Sequence, residues 1–363
     1  MKKLKFIISG GGTGGHIFPA LAIAQELEHK FSNCEILFVG ANGRMEMEKI
    51  PDAGYTIKGL DVVGIQRSFS INSLIRNFSF PVRLLKSLTA AKKIIESFNP
   101  DAVIGVGGYA SGPTLRMANR LGIPTLIQEQ NSYAGLTNKW LSKKAHKICV
   151  AYENMDQFFP KTKLVLTGNP VRKDLMDIGQ KSDLALKHFN IDKGDKVILV
   201  IGGSLGAKSI NEGLLYSLDV LKNQPVQLIW QVGKRYFDQI TNNEKLKEFK
   251  NIHAMPFLAY EIADLVISRA GALSISEITL TGKASLLIPS PNVAEDHQRK
   301  NAMALVKQKA AVLVNDNETR TVLEKSLLLL KDERQILEIS RNAKRMGKPN
   351  AARDIVNEIE KLI

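Results

Sequence analysis

The sequence has little cysteine and no long apolar run. Its two cysteines, Cys34 and Cys149, cannot form a disulfide framework, and with six scattered histidines they make no metal-binding pattern. No apolar run approaches the roughly 20 residues that a bilayer-spanning helix needs. These absences argue against a disulfide-rich secreted domain and against a membrane span, so the cytoplasm is the expected compartment.

Acidic residues are outnumbered by basic ones. The 50 lysines and arginines exceed the 36 aspartates and glutamates, which gives a net charge of +14. This balance predicts an anionic partner, which could be nucleic acid, an acidic membrane surface or a phosphorylated substrate. No strand interleaves basic residues with stacking aromatics, so nucleic acid is not expected. A chain of 363 residues with 44% hydrophobic content suits a globular protein of two domains.

The stretch richest in glycine is Ser9-Gly10-Gly11-Gly12-Thr13-Gly14-Gly15-His16, between an apolar run and a helical pattern. Its glycines allow a tight turn, and the N–H groups of the next helix would face the loop as an anion site. A dinucleotide site is disfavoured because no acidic residue ends the second predicted strand, 35–40. His16 stands where the helix begins and is placed for chemistry, although it could also be a helix-start residue without a role.

Strand and helix patterns alternate through the first half of the chain. The predicted strands are 4–9, 35–40, 55–60, 101–107, 124–130, 146–151 and 164–168. The predicted helices between them are 18–29, 44–50, 71–98, 112–121 and 135–144. This rhythm predicts a doubly wound parallel sheet.

The same rhythm restarts after residue 195. A strand at 196–201 leads into Gly202-Gly203-Ser204-Leu205-Gly206-Ala207, and strands at 226–232, 252–255, 265–268, 284–289 and 311–314 follow. The chain therefore predicts two similar α/β halves hinged near residue 169, with ligands beyond the carboxyl ends of the strands. The last segment, 351–363, is amphipathic, and its periodicity leaves open which half it packs on.

Eight motifs in a fixed order carry a more specific signal. With this set the sequence resembles the MurG family of bacterial glycosyltransferases, glycosyltransferase family 28, over almost its whole length. One such motif alone would be weak evidence. The motifs occupy residues 11–20, 105–113, 129–131, 135–139, 168–172, 202–207, 269–277 and 297–302.

The resemblance implies a fold and a reaction. The fold is GT-B, with two Rossmann-like doubly wound parallel-sheet domains facing across a cleft. Residues 1–168 with the C-terminal helix 346–363 would bind the acceptor and the membrane, and residues 169–345 would bind the UDP-sugar donor. The implied enzyme is an inverting hexosyltransferase that moves N-acetylglucosamine from UDP-N-acetylglucosamine to the muramyl 4-hydroxyl of undecaprenyl-pyrophosphoryl-MurNAc-pentapeptide. This places the chain in peptidoglycan synthesis, with links to cell shape, cell division and the cell cycle.

The resemblance also assigns donor-binding residues. Gly203 and Ser204 match the loop that holds the UDP pyrophosphate, and Glu277 matches the carboxylate that accepts both ribose hydroxyls. Gln298 matches a donor-sugar contact, whereas its neighbour His297 departs from family members that carry a second glutamine there. The full implied donor set is Thr13, Gly14, Gly15, Asn131, Arg172, Gly203, Ser204, Phe257, Leu258, Glu277 and Gln298.

Catalysis and acceptor binding are assigned to the first half. His16 is the predicted base, because an imidazole with a near-neutral pKa suits removal of the muramyl hydroxyl proton. Asn131 would orient that hydroxyl. Backbone amides of the first and second Gly-rich loops would hold the acceptor's pyrophosphate. The implied acceptor-binding residues are Gly11, Gly12, Gly107, Gly108, Tyr109 and Glu129.

A basic, apolar segment at 65–93 contains no acidic residue. Such a segment can lie in the interface of an anionic leaflet, although a buried helix with solvated lysines is the alternative for part of it. Two phenylalanines beside a proline favour membrane contact. The expected location is the cytoplasmic face of the inner membrane, as a peripheral protein near the cell-wall or division machinery. The predicted membrane residues are Phe69, Leu74, Arg76, Phe78, Phe80 and Arg83.

No Asp-x-Asp motif of the kind that holds UDP through a metal is present. Catalysis without an obligatory metal or cofactor is therefore predicted, with UDP-N-acetylglucosamine as a substrate. The alternatives are another GT-B enzyme on UDP-sugars, such as a diacylglycerol glucosyltransferase or a UDP-N-acetylglucosamine 2-epimerase. A third alternative is a catalytically silent peripheral protein that only binds nucleotide.

Overall fold

The computed structural model describes residues 3–62, 80–172, 175, 183–203, 206–249, 251–253 and 259–363. The chain divides into two compact units, which are described separately. Unit 1 comprises Met1–Arg172 and Asn350–Ile363, and unit 2 comprises Lys173–Pro349. The sequence analysis placed these divisions after residues 168 and 345.

In the described part of unit 1, seven parallel strands form one sheet in the order β3-β2-β1-β4-β5-β6-β7. The strands are β1 (Leu4–Ser9), β2 (Cys34–Ala41), β3 (Thr56–Leu60), β4 (Ala102–Gly105), β5 (Thr125–Glu129), β6 (Lys147–Val150) and β7 (Leu164–Leu166). The helices between them are α1 (Gly14–Lys30), α2 (Glu46–Asp52), α3 (Phe80–Phe98), α4 (Ser111–Arg120) and α5 (Leu136–Ser142).

Alternating side chains of the sheet build a core on each face. In β1, Ile7 packs with Val39 and Val103 on one face, while Phe6 and Ile8 belong to the cluster on the other face. All three β1 residues are fully buried. A strand buried on both sides reads as a continuous apolar run, which is why the pattern at residues 4–8 predicted this central strand.

Over the residues that the structure describes in unit 2, six parallel strands pair in the order β10-β9-β8-β11-β12-β13. They are β8 (Lys196–Ile201), β9 (Val226–Gln231), β10 (Ile252–His253), β11 (Leu265–Ser268), β12 (Ala284–Leu287) and β13 (Val312–Leu313). The helices are α6 (Asp183–Phe189), α7 (Lys208–Ser217), α8 (Phe237–Thr241), α9 (Ala259–Ile262), α10 (Ala272–Thr281), α11 (His297–Val306), α12 (Val322–Lys331) and α13 (Glu333–Met346).

Short 3₁₀ segments complete the connections. They span Met155–Gln157, Lys161–Lys163, Leu218–Leu221, Lys234–Tyr236, Glu244–Glu248, Ala294–Asp296 and Asp316–Thr321. Among the described residues, no helix has the length and apolar character needed to cross a membrane. Two parallel α/β sheets agree with the predicted fold class.

The final helix, α14 (Ala351–Glu360), belongs to unit 1. Its apolar residues Ile355, Val356 and Ile359 are fully buried and join the same cluster as Ile23 and Leu27 of α1. On the surface, Lys30 donates hydrogen bonds to the last helix as well. The structure thus settles the packing that periodicity had left open: α14 covers the sheet face that α1 covers.

Candidate functional site

The loops after β1 and β4 meet at the carboxyl edge of the unit 1 sheet. These strands are neighbours, and the strand order reverses between them. In open parallel sheets this position leaves a crevice for ligands. The first and second Gly-rich loops predicted from the sequence both lie here.

The two loops touch through their backbones. Gly11 N–H donates to the Gly107 carbonyl at 3.3 Å. A Cβ on Gly108 would lie 2.4 Å from the Gly11 carbonyl oxygen, and Gly107 and Gly108 have φ of +91° and +87°. Glycine is therefore required for backbone packing and for conformation. The predicted acceptor residues Gly11, Gly107 and Gly108 are brought together, but their close packing is with one another.

His16 is held between the two loops. Helix α1 begins at Gly14 rather than at the predicted residue 18, because the Thr13 carbonyl accepts from the N–H groups of His16 and Ile17. Thr13 Oγ1 lies 3.3 Å from His16 Nδ1. A Cβ on Gly107 would lie 2.9 Å from His16 Nε2, so the imidazole passes directly over this glycine.

Glu46, a residue that sequence reasoning missed, lies beneath the first Gly-rich loop. It begins α2 and is 1% exposed. Its Oε2 accepts from Gly12 N–H at 2.7 Å, and its Oε1 accepts from Ala41 N–H at 3.0 Å. No acidic residue ends β2 itself, but Glu46 follows it by five residues. Its carboxylate accepts from backbone N–H groups of the protein.

Glu129 is a second buried carboxylate at this edge, 1% exposed at the end of β5. One oxygen accepts from the backbone and side-chain N–H groups of Asn131, at 3.1 and 3.4 Å. The other accepts from Gly135 N–H at 3.0 Å and Asn138 Nδ2 at 2.9 Å. Burial raises the pKa of the Glu129 carboxyl, and these N–H donors oppose the rise. The carboxylate thus bonds the segment that carries Asn131, and the contact of Glu129 with an acceptor stays a prediction.

A chain of buried amides connects the β5 end to the second Gly-rich loop. Gln128 Nε2 donates to Asn169 Oδ1 at 2.8 Å, and Asn169 Nδ2 donates to the Gln130 carbonyl at 3.0 Å. Gln130 Nε2 then donates to the Val106 carbonyl at 2.6 Å. The segment before Arg172 is thereby tied to the loop on which His16 rests.

Two further predicted residues in unit 1 lie on the surface or near it. Tyr109 is 53% exposed beside Gly108. The guanidinium of Arg172 lies 6.0 Å from the ring centre of Phe18, which follows His16 in α1. Arg172 therefore approaches the same helix that carries the imidazole.

Unit 2 has a polar cavity of about 410 Å³ at the carboxyl edge of its own sheet. It lies where β8 and β11 are neighbours and the strand order reverses. Residues from the loops after four strands converge there, together with the first turn of α7. Those that line it are Gly202, Gly206, Ala207, Lys208, Ser209, Glu212, Arg269, Ser290, Asn292, Gln298 and Asp316.

Arg269 is fixed at the wall of this cavity. Its Nη1 donates to Asp316 Oδ1 at 2.6 Å and to the Ile288 carbonyl at 3.1 Å, and its Nη2 donates to Ser209 Oγ at 2.6 Å. Ser209 also donates to Asp316 at 2.7 Å. A guanidinium restrained on several sides is suited to recognising phosphate, because little side-chain entropy remains to be lost. Sequence reasoning included Arg269 in a motif but gave it no role.

The predicted donor residues are only partly brought together. Gln298 lines the cavity, and its Oε1 accepts from Ser290 N–H at 2.9 Å, which leaves the Nε2 group as the donor. Gly203 has φ of +86° in the preceding loop. Glu277 is 8% exposed, accepts from the Tyr260 hydroxyl at 3.0 Å, and is not among the cavity's lining residues. Ser204, Phe257 and Leu258 lie outside the described residues.

Most of the predicted membrane residues also lie outside the described part of the chain. These are Phe69, Leu74, Arg76 and Phe78; of Phe80 only the backbone, at the start of α3, is described. Arg83 is exposed, as are its neighbours Val82 (58%) and Leu85 (65%). Within the described ranges, no group of three or more histidine, cysteine or acidic side chains could hold a metal ion.

Comparison with known proteins shows similarity along the whole chain. Models of the glycosyltransferase family 28 N-terminal and C-terminal domains match residues 6–150 and 197–359. A relative from Flavobacterium psychrophilum, named UDP-N-acetylglucosamine--N-acetylmuramyl-(pentapeptide) pyrophosphoryl-undecaprenol N-acetylglucosamine transferase, is 52% identical over 100% of this chain and 99% of its own. A relative of the same name from Porphyromonas gingivalis is 51% identical over 99% of this chain and 96% of its own.

Solved structures give the same picture for the fold. The crystal structure of Acinetobacter baumannii MurG has a TM-score of 0.77 at 31% identity, covering 99% of both chains. A UDP-N-acetylglucosamine 2-epimerase has a TM-score of 0.63 at 14% identity, covering 99% of this chain and 96% of its own. The second likeness is one of fold alone.

Proposed function

Since the chain belongs to glycosyltransferase family 28 and has the predicted GT-B fold class, we propose that it is a UDP-N-acetylglucosamine-dependent hexosyltransferase. Its donor is UDP-N-acetylglucosamine, and its acceptor is undecaprenyl-pyrophosphoryl-MurNAc-pentapeptide. The observation that carries this proposal is 52% identity, over the full chain, to a relative named for that reaction. The proposed role is a step of peptidoglycan synthesis, with cell-wall biogenesis, cell shape and cell division depending on it.

Unit 2 is the proposed donor site. The pyrophosphate of UDP carries charge that the lysine, the arginine and the first turn of α7 around the cavity can offset. Gln298 Nε2 faces the same space and can donate to sugar hydroxyls. We retain Gly203, Ser204, Phe257, Leu258 and Glu277 as proposed donor contacts from the family resemblance. For Glu277, its burial requires the ribose to reach a carboxylate already bonded to Tyr260.

Unit 1 is the proposed acceptor and catalytic site. The muramyl 4-oxygen attacks the anomeric carbon, the bond from that carbon to the UDP oxygen breaks, and the configuration inverts. His16 takes the hydroxyl proton, and the contact of its Nδ1 with Thr13 Oγ1 at 3.3 Å helps to orient the imidazole. Asn131, oriented by Glu129, would direct the attacking hydroxyl. In this proposal Arg172, Thr13, Gly14 and Gly15 complete the contacts with the two substrates.

A lipid-linked acceptor requires access to a membrane surface. Within the basic, apolar segment, Val82 and Leu85 are exposed beside Arg83 at the start of α3. We propose peripheral binding to the anionic cytoplasmic face of the inner membrane, near the cell-wall machinery. Liposome flotation checks this: Phe78→Ser with Phe80→Ser should weaken binding to anionic vesicles, and equal flotation would contradict it.

The proposed reaction has no obligatory metal. The donor cavity already contains the fixed guanidinium of Arg269 and the exposed Lys208, which can offset part of the charge on the leaving UDP. Transfer should therefore persist in EDTA, and a loss that magnesium restores would contradict the proposal.

The experiment that tests the function is a transfer assay. Radiolabelled UDP-N-acetylglucosamine is supplied with a short-chain lipid-linked muramyl pentapeptide, with a diacylglycerol, or alone. The proposal expects labelled disaccharide only with the muramyl acceptor. Label on diacylglycerol, or 2-epimerised sugar without acceptor, would support the alternatives and overturn it.

A further inference from the structure

We propose that Glu46 is a positioning residue for the candidate acceptor site, a role that rests on the proposed function. Its two carboxylate oxygens join the first Gly-rich loop to the end of β2, through Gly12 N–H and Ala41 N–H. Among the described residues, Glu46 is the side chain that accepts from both of these N–H groups. The carboxylate is 1% exposed, so it acts on a ligand only through the loop.

Two glycines leave the space that Glu46 fills. A Cβ on Gly11 would lie 2.2 Å from Glu46 Cδ, and a Cβ on Gly40 would lie 2.6 Å from Glu46 Cγ. Neither distance is compatible with a side chain at these glycines. The loop after β1 and the end of β2 therefore pack around this carboxylate. The packing alone explains why glycine occupies positions 11 and 40, without any contact to a ligand.

Glu46 also determines which amides a ligand can meet. Gly12 N–H is bonded to Glu46, and Gly11 N–H is bonded to Gly107. The amides that open α1, at Gly14 and Gly15, have no acceptor within the helix. An acceptor pyrophosphate is thus directed to the helix start beside His16 and away from the carboxylate behind Gly12. The sequence expectation had assigned the pyrophosphate to backbone amides of both Gly-rich loops, and this proposal narrows it to the start of α1.

The test compares Glu46→Gln with Glu48→Gln. Glutamine keeps the size of Glu46 but places an NH₂ group against one of the two N–H donors, so the loop must shift. Glu48 lies on the exposed side of the same short helix, so its variant makes the same charge change without touching the loop. For E46Q we expect kcat/KM for the short-chain acceptor to fall about 10- to 100-fold, since ångström-scale misplacement costs this much.

The rise in acceptor KM should exceed the fall in kcat. UDP-N-acetylglucosamine affinity, measured by calorimetry, should fall much less than acceptor affinity, since most proposed donor contacts lie in unit 2. E48Q should match wild type throughout. Equal acceptor kinetics in E46Q and E48Q would overturn the proposal, as would a loss of donor affinity as large as the loss for the acceptor. If E46Q does not fold, Glu46→Asp replaces it, because the shorter carboxylate cannot accept both bonds.

If the wild-type protein transfers no sugar, the proposed function fails. The role of Glu46 in holding the loop is then tested by a measurement that needs no activity. Amide hydrogen exchange at Gly12 and Ala41 should be faster in E46Q than in E48Q, because these N–H groups lose their buried acceptor. Equal exchange rates would overturn the positioning role whatever the reaction is.

Discussion

The two sheet edges are held together by different chemistry. In unit 1, the buried carboxylates of Glu46 and Glu129 accept hydrogen bonds from loop N–H groups. In unit 2, a guanidinium bonds an aspartate, a hydroxyl and a carbonyl at the wall of an open cavity. In unit 1 the charges are buried against the backbone, whereas in unit 2 charged side chains of both signs line an open cavity.

Under the proposed function, this difference would let two similar α/β units divide one reaction. A fixed guanidinium beside a helix start suits the pyrophosphate of a nucleotide sugar. A tightly packed pair of Gly-rich loops instead surrounds an imidazole, the group that we propose takes the proton.

Replacing the imidazole should have the largest effect. His16→Ala should lower the rate of sugar transfer by about 10²- to 10⁴-fold, the usual contribution of a general base. UDP-N-acetylglucosamine binding should change little, since most of the proposed donor contacts lie in unit 2 and His16 is not among them. The matched control is His29→Ala, which removes an exposed histidine from the same helix and should transfer at the wild-type rate.

Neutralising the buried carboxylate of Glu129 should destabilise unit 1. Glutamine would place an NH₂ group against N–H donors from the 131–138 segment, at a cost of about 2–3 kcal/mol. Thermal unfolding of Glu129→Gln beside Glu153→Gln, which changes an exposed residue, measures this. Equal melting temperatures would show that the loop does not depend on the carboxylate.

In unit 2 the shape of the cation should matter as well as its charge. Arg269→Lys keeps the charge but cannot reach Asp316, Ser209 and the Ile288 carbonyl together, so donor affinity should fall about tenfold, or 1.4 kcal/mol. Calorimetric titration with UDP tests this, with Arg299→Lys on the exposed side of α11 as the control. Unchanged affinity in R269K would remove Arg269 from the donor site.

The smallest expected effect is a pH dependence at the final helix. Burial alone would raise the pKa of Glu358, but hydrogen bonds and charge from Lys361 and Lys147 outweigh it, so the pKa lies below the ordinary value. The resulting stability is present above the unfolded pKa of about 4.3 and is lost as the pH falls through the folded value.

We therefore expect Glu358→Gln to unfold more easily than wild type at pH 7, by about 1 kcal/mol, because its lysine partners are partly exposed to solvent. The difference should shrink towards pH 3. Denaturant unfolding at both pH values measures it, and a difference that grows on acidification would contradict the assignment.

Local patterns predicted the strands well because each central strand is buried on both faces. β1, β8 and β11 begin and end at the predicted residues, 4–9, 196–201 and 265–268. β4 ends at Gly105, before the predicted residue 107, because the chain turns at Gly107 with positive φ to meet Gly11. That turn is fixed by a loop almost a hundred residues earlier.

The same reason explains what the sequence could not reveal about the sites. Glu46 bonds Gly12, and Arg269 bonds Asp316, across separations that no periodicity encodes. The family resemblance assigned Glu129 to the acceptor, but no local pattern shows that its carboxylate is buried against loop N–H groups. The sequence did contain one signal for Glu46. It is an acidic residue shortly after β2, and β2 is the neighbour of the strand that leads into the first Gly-rich loop.

The most direct test of the division between the units measures donor binding and transfer in His16→Ala and Arg269→Lys side by side. The account predicts that H16A binds UDP-N-acetylglucosamine like wild type but transfers almost none of it. It predicts that R269K binds weakly yet recovers transfer when the donor concentration is raised. If H16A loses donor affinity as R269K does, or if R269K stays inactive at saturating donor, binding and chemistry are not divided between the two edges.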